Sequence, residues 1–261
     1  VGCEAEVRVY DKNPKKSTHT IKETVNESDF IFLSVPTPAK TDGSINLKIL
    51  DDALNDINEV HDGRDNTILI RSTVIPGTTW ILQEKYSNLN ILFNPEFLTE
   101  RSANFDFINQ SRFILGGSSD DVIEVSELFR ERFGSSLSII ETNYETAELI
   151  KYMTNTFFAT KISFLNDMKL LADKCGVIWD DAVEGFVRDG RVGHSHLNVP
   201  GHDGRYGFGG SCFPKDIQAL INFGESNDVD MSVLKGAWKT NLKVRPEKDW
   251  EQLKGRAVVD E

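Results

Sequence analysis

The chain has 261 residues, with 29 Lys and Arg against 41 Asp and Glu, a formal charge of -12. Apolar residues make up 39% and charged residues 27%. That balance suits a globular protein with one large core or two ordinary ones and argues against disordered and fibrous classes. The acidic excess argues against a nucleic-acid or anionic-membrane binder, since either needs a basic surface to displace counterions.

The longest apolar runs, Phe30–Val35 and Thr67–Ile70, are strand-sized and far short of a membrane span. No basic segment followed by an apolar stretch opens the chain, so no secretory signal is expected. Cys3, Cys175 and Cys212 are too few and too scattered for a disulfide framework or a zinc site. The expected setting is a reducing cytoplasm, with no structural metal.

In chain order, Glu6–Tyr10 alternates as a strand does and stops at Asp11. Asp29–Val35 reads as a buried parallel strand ended by Pro36-Thr-Pro38. A helix follows from Leu47 to near Val60, then strand Thr67–Arg71, a helix from Gly77 to near Tyr86, and strand Asn90–Phe93. Strand Arg112–Leu115, helix Asp120–Phe133 and strand Leu137–Ile140 complete the series. Strands alternating with helices of this size predict a doubly wound α/β sheet, parallel and covered on both faces.

From Thr142 the pattern changes. Thr142-Asn-Tyr-Glu145 has the form of a capping box. Apolar residues then recur from Ala147 to Leu171 and reach Cys175-Gly176, where glycine can terminate a helix. The prediction is one helix of about 33 residues, about 50 Å long. Further helices are expected near Asp181–Val187, Pro214–Phe223 and Met231–Leu242. The domains expected are a Rossmann-like unit over 1–141, a helical unit over 142–250 and the start of a further domain over 251–261. A dinucleotide-binding unit places its Gly-rich turn about 20 residues before the acid that ends its second strand. Asp11 has that acid's setting, so the first strand and turn are expected to be missing; Leu253–Val259 reads as a loop entering a strand.

Three groups of residues carry chemistry. In Gly207-Phe-Gly-Gly-Ser-Cys-Phe-Pro-Lys-Asp216, the glycines permit close backbone approach to a ligand. Pro214 suits a first helical turn and would set Cys212 at a helix N-terminus, where the dipole and free amides favour a thiolate. Asp216 could share a helix face with that sulfur. The competing reading of Cys212 is a small buried hydrophobe, and Cys3 and Cys175 keep that reading. Lys151 and Asn155, four apart on the long helix, share a face; a solvated lysine beside a surface asparagine is the alternative. Asn94-Pro-Glu-Phe-Leu-Thr-Glu100 follows a strand, at the edge where open α/β sheets bind ligands, and its two carboxylates could move protons. Capping or plain surface duty would account for it equally well. Arg71-Ser-Thr73 and Val35-Pro-Thr-Pro38 occupy equivalent strand ends.

Together, residues 207–216, Asn94–Leu98, Val35–Pro38 and Ser72-Thr-Val74 resemble the UDP-glucose/GDP-mannose dehydrogenase family, in order and from Val1 to near Val259. The resemblance implies a four-electron, NAD-dependent oxidation of a nucleotide sugar at C6 through a Cys212 thiohemiacetal and thioester, supplying uronic acids for polysaccharide synthesis. It implies an oxyanion role for Lys151, aided by Asn155. Asp216, Glu100, Thr73 and Glu96 would manage protons and hydrolysis. It assigns Asp11, Lys16, Thr37, Thr73, Glu100 and Lys215 to NAD. It assigns Glu96, Phe97, Leu98, Thr99, Glu100, Lys151, Asn155, Asn198, Gly201 and Gly209 to the sugar nucleotide. His202-Asp-Gly-Arg205 looks like an insertion relative to the family pattern, and the family's third domain is expected to be missing beyond about Val259. UDP-glucose is the expected substrate. GDP-mannose, a single-hydride oxidation of the 6-phosphogluconate type, and a non-catalytic nucleotide-sugar-binding remnant are the alternatives. The two-flanked apolar pattern of the long helix predicts a homodimer.

Overall fold

The computed structural model describes residues 5–99 and 101–259; the expectations placed on Cys3 and Glu100 lie outside the described residues. The chain divides into two compact units. One comprises the described residues through Thr37 together with Leu47–Lys151; the other comprises Pro38–Asn46 and the described residues from Tyr152.

The first unit is built on a five-stranded sheet in the order β1 (Phe30–Leu33), β2 (Thr67–Ile70), β3 (Asn90–Phe93), β4 (Phe113–Gly116), β5 (Ile139–Thr142). β1, β2 and β3 run parallel in continuous register, from Phe30↔Thr67↔Asn90 to Leu33↔Ile70↔Phe93, and β4 and β5 are parallel to one another. β3 meets β4 antiparallel, through Phe93↔Gly116. The sheet is therefore dominated by parallel pairs, with one reversal that the alternation of elements did not reveal.

Successive side chains on a strand point to opposite faces, and each face here has its own core. Ile68, Ile70, Ile91, Phe93 and Ile114 pack with α1 (Ile21–Asn26), α2 (Lys48–Val60) and α3 (Thr78–Lys85), through Val25, Leu50, Leu54, Ile57 and Leu82. Leu69, Leu92, Phe113 and Leu115 pack on the other side against Val122, Val125 and Phe129 of α5 (Ser119–Phe133). There the Phe113 and Phe129 rings stack at 4.2 Å. Helices on both faces explain why these strands read as continuous apolar runs.

Several elements differ from expectation. Glu6–Tyr10 forms no strand: an alternating run needs a ladder partner, and among the described residues none pairs with it. Val7 is 72% exposed, and Val9 O instead accepts bonds from the amides of Thr18 and His19. The short helix α1 was not read from hydrophobic period because one turn carries too little; its signal was the capping box Thr20/Glu23. α4 (Ala103–Ile108) is equally short.

The long helix α6 spans Tyr144–Cys175, 32 residues. Thr142 ends β5, so the cap moves one residue on: Asn143 Oδ1 accepts the Thr146 amide at 2.9 Å. Gly176 adopts φ +68, and the Val177 amide reaches Ala172 O at 3.1 Å, closing the helix as expected of glycine there. Cys175 is exposed, contrary to its reading as a buried hydrophobe, because it falls on the outer face of the last turn.

In the second unit, the later turns of α6 join α7 (Trp179–Val187), α8 (Phe213–Ser226) and α9 (Ser232–Val244). One core gathers Ala159, Phe208, Ile217 and Ala237; another gathers Leu165, Val187, Leu197 and Val199. Ser163 Oγ donates to Ala237 O at 2.8 Å and ties α6 to α9. Beyond a short turn at Asp249–Gln252, Val258 makes an isolated parallel bridge to Ala39.

Candidate active site

The candidate residues fall into two groups, one per unit. In the first unit, β1, β2 and β3 are parallel, so the segments that follow them leave from one edge of the sheet. Thr37 is buried and its hydroxyl donates to Thr73 O at 2.8 Å, joining two of these segments. Ser72 reinforces the join through bonds to the Val35 amide and carbonyl. After β3, Asn94 donates to Ile114 O at 2.8 Å and accepts a bond from Arg71. Burial pulls the Arg71 guanidinium below its ordinary pKa, and the charge of Glu96 opposes that pull.

Lys151 is not a solvated lysine: it is 3% exposed. Its ammonium donates to the Glu96 carbonyl and to Glu96 Oε1, the latter at 3.2 Å. Glu96 Oε2 accepts the Leu98 amide at 2.7 Å, so this carboxylate organises its own loop. The Phe97 ring lies 5.3 Å from the Lys151 ammonium and 4.6 Å from the Arg112 guanidinium, within cation–π range of both. Thr99 turns instead to Asp106, bonding it through amide and hydroxyl. Asp11 ends the extended N-terminal segment; its Oδ1 accepts the Asn13 amide at 2.7 Å, and its backbone exchanges bonds with Ser17. Lys16 is exposed and closes the turn Pro14–Lys16.

Glu148 was missed. It lies one turn before Lys151 on α6 and is fully buried. Its carboxylate accepts the Gly77 amide at 2.6 Å, the Thr79 amide at 2.7 Å and the Thr79 hydroxyl at 2.6 Å, capping α3 from a separate helix. An acid one turn from a lysine in an otherwise apolar stretch was the available signal. Burial pushes its pKa up from 4.5 to about 7, against the pull of the three donors. Because the folded pKa lies above the unfolded one, the stability linked to Glu148 is present below pH 4.5 and lost as pH rises through about 7. Urea denaturation across that window should show stability falling with pH. Glu148→Gln should flatten the fall, although it lowers stability overall by turning an amide group toward backbone donors.

In the second unit, α8 begins at Phe213, with Cys212 at its N-cap and Pro214 in its first turn. The Asp216 amide donates to Cys212 O at 2.9 Å, which fixes the two residues one turn apart. Cys212 is exposed, so it is not a buried hydrophobe. Asp216 is 1% exposed and accepts from Asn155 Nδ2 at 2.6 Å and from Lys215 Nζ at 2.6 Å. Asn155 and Lys215 are themselves buried. Lys215, assigned above to NAD, is thus held by its neighbour's carboxylate.

The glycines before Cys212 are only partly what they were expected to be. A Cβ at Gly207 would run into Asn241, and one at Gly209 into Arg245 and Asp249. Those two positions are small because side chains of this protein lie against them. Gly210, at φ +72, faces open space and alone fits close approach by a ligand. Asn241 Oδ1 holds the Phe208 amide at 2.8 Å and Asn166 Oδ1 the Gly207 amide at 3.0 Å. The signal for both was an asparagine at an apolar helix position. Upstream, Leu197 and Val199 are buried while Asn198 between them is exposed. Lys161 Nζ donates to the carbonyls of Val192, Gly193 and Ser195 and so steadies the approach to this loop. The Gly201 amide donates to Arg205 O at 2.7 Å, closing the turn between them.

A Rossmann-type sheet joined by one long helix to a helical unit is the architecture of the Rossmann-like dehydrogenases. Residues 6–133 match the UDP-glucose/GDP-mannose dehydrogenase family's NAD binding domain and residues 145–243 its central domain, so the chain belongs to that family. It is 36% identical over 241 residues to the UDP-glucose 6-dehydrogenase of Rickettsia felis, covering 90% of this chain and 52% of that one. Among solved structures, it superposes on a UDP-glucose dehydrogenase from Pyrobaculum islandicum with a TM-score of 0.73 at 32% identity, covering 90% of this chain and 55% of that one. A UDP-D-ManNAc dehydrogenase from Pyrococcus horikoshii gives 0.70 at 27% identity, covering 88% and 53%. The chain spans about half the length of the curated relatives it matches. Among the described residues no helix is long and apolar enough to cross a membrane, and no group of side chains is arranged to hold a metal ion.

Proposed function

We propose that this chain carries out, alone or as part of a longer protein, the NAD-dependent oxidation of UDP-glucose to UDP-glucuronate, as a precursor for polysaccharide synthesis. The observation that carries this reading is an exposed Cys212 at the N-terminus of α8, one turn from a buried carboxylate that asparagine and lysine both engage.

The residues offered to NAD fit it by the chemistry of their donor set. Thr37 and Thr73 bring hydroxyl and carbonyl groups to the strand ends where dinucleotides lie, and the Asp11 carboxylate can accept ribose hydroxyls. Lys16 would add a cation near the adenosine end. NAD, when bound, supplies the hydride acceptor for both oxidations.

Loss of a hydride and a proton converts the C6 alcohol to an aldehyde. The Cys212 thiolate then adds to the aldehyde carbon, forming a C–S bond and placing negative charge on oxygen. Lys151 donates a hydrogen bond to that oxygen and Asn155 helps to hold it, an oxyanion role in which preorganised donors act as charge develops. Loss of the second hydride gives a thioester. Water attacks its carbonyl carbon, the C–S bond breaks, and the thiol and the carboxylate separate. A thiolate suits both halves because it attacks and leaves readily. Asp216, Glu96 and Thr73, with Glu100 by resemblance, take up and return the protons of these steps. Leu197–Gly201, with Asn198 outward, would contact the sugar nucleotide together with Phe97, Leu98, Thr99 and Gly209. A reducing cytoplasm suits a free catalytic thiol.

NADH yield per limiting sugar nucleotide tests the reading. With UDP-glucose in limiting amount, two NADH per sugar are expected. One NADH would favour a single-hydride dehydrogenase, two only with GDP-mannose would reassign the base and sugar, and binding without turnover would favour a non-catalytic module.

The protein is further proposed to be a homodimer through α6. Met153, Phe157 and Leu171 are 59%, 61% and 55% exposed along it, an apolar flank of the kind that marks an interface. Light scattering should give twice the 29.4 kDa chain mass; a monomer at working concentration would refute it.

A further inference from the structure

The loop that precedes Cys212 is held at both ends. Asn166 and Asn241 fix Gly207 and Phe208. Its other end rests on an ion cluster centred on Arg245, which follows α9 and is 3% exposed. Arg245 Nε donates to Asp249 Oδ1 at 2.6 Å, Nη2 to Asp203 Oδ2 at 2.6 Å and Nη1 to Tyr206 O at 3.3 Å. Asp249 Oδ2 in turn accepts the Gly210 amide at 3.4 Å. The space beside Gly209 is filled by the same two side chains, so a Cβ there would lie 2.5 Å from Arg245 Nη2 and 2.6 Å from Asp249 Oδ2.

A buried guanidinium with two carboxylates is a rigid fixture. Its bonds are charge-assisted, and the planar fork sets the directions of all three partners at once. One of those carboxylates, Asp203, lies in the turn His202–Arg205 just upstream of the glycines, so that turn is tied into the same cluster. Gly210 stands two residues before Cys212 with a left-handed backbone (φ +72), a Cβ added there would meet only open space, and its amide is held by Asp249. Any freedom at Gly210 re-aims the thiol.

We propose that Arg245, acting through Asp249, is a positioning residue that sets the backbone of Gly209–Gly210 and thereby the presentation of the Cys212 thiol. The inference rests on Cys212 being the nucleophile of the reading above. Arg245 touches no reacting atom; its effect is to keep the loop in one orientation, as preorganised sites require.

The test is alkylation of the full chain by iodoacetamide, with the rate at each cysteine followed by peptide mass spectrometry. Exposed Cys175, in the same molecule, is the internal reference. Arg245→Met and Asp249→Asn should lower the Cys212-to-Cys175 rate ratio by about fivefold or more, because the thiol then spends less time in its reactive orientation. Arg245→Lys should fall nearly as far, since it keeps the charge and loses the fork. Circular dichroism and a thermal melt check that each variant is folded. If Arg245→Met does not fold, Asp249→Asn, which keeps side-chain shape, carries the test. A ratio within about twofold of the parent in the folded variants would overturn the proposal and leave the cluster a purely structural one. Parent Cys212 reacting no faster than Cys175 would instead count against its role as nucleophile, while the variant ratios would still report on the clamp.

Discussion

Cys212→Ala is expected to lower NADH formation from UDP-glucose by roughly a thousandfold or more, as removal of a covalent nucleophile does. Affinity for the sugar nucleotide should change little, because the thiol contributes to reaction rather than to binding. Steady-state kinetics paired with calorimetric binding separates the two effects. Retained turnover would remove the thioester route and favour a single-hydride oxidation, which needs no thiol. Cys212→Ser sharpens the result: a serine hydroxyl is a poorer nucleophile and a poorer leaving group, so any residual activity should stop at one NADH per sugar.

Asp216→Ala should be the most destabilising single change in the second unit. Asp216 is 1% exposed, and Lys215 beside it is 7% exposed. Without the carboxylate, the Lys215 ammonium and the Asn155 amide both lose their partner at 2.6 Å. Removing one member of a buried ion pair costs about 3–5 kcal/mol because the other charge is left uncompensated. Urea denaturation measures the loss. Asp216→Asn keeps the shape and should cost less. The double substitution Lys215→Met with Asp216→Leu should recover part of the stability of Asp216→Ala, since no charge is then stranded. Equal losses in the single and double variants would show that packing rather than charge governs this cluster.

These expectations rest on features of very different visibility. The decapeptide around Cys212 was legible because its constraints are local: a proline in the first helical turn, a cysteine at the cap and an acid one turn on. The strands β1 to β4 and the long helix were legible for a similar reason. Burial on both faces writes the continuous apolar runs of β2 to β4, β1 is apolar although Phe32 on one of its faces is exposed, and 32 helical residues write many repeats of one period. Shorter elements gave too few repeats, so α1 and α4 went unread. Glu6–Tyr10 shows the converse: its alternation was clear, but a strand needs a neighbour, and no described strand pairs with it.

The site divides along the same line. Residue types and their spacing along the chain were enough to single out Cys212, Asp216, Lys151 and Asn155, because each pair lies within one turn of one helix. Sequence spacing left the environment of each open. That Lys151 is buried against Glu96 across 55 residues, that Glu148 caps a helix 69 residues away, and that Arg245 reaches Asp203 across 42 depends on contacts between distant segments. Short-range sterics and periodic burial wrote the layered α/β unit, the long helix and the place of Cys212 at a helix start into the sequence. Tertiary structure alone decided which polar groups are buried and paired, why two of the glycines must be small, and where the sheet reverses direction. Those outcomes depend on desolvation and close packing between segments far apart in the chain, and spacing along the sequence carries no record of either.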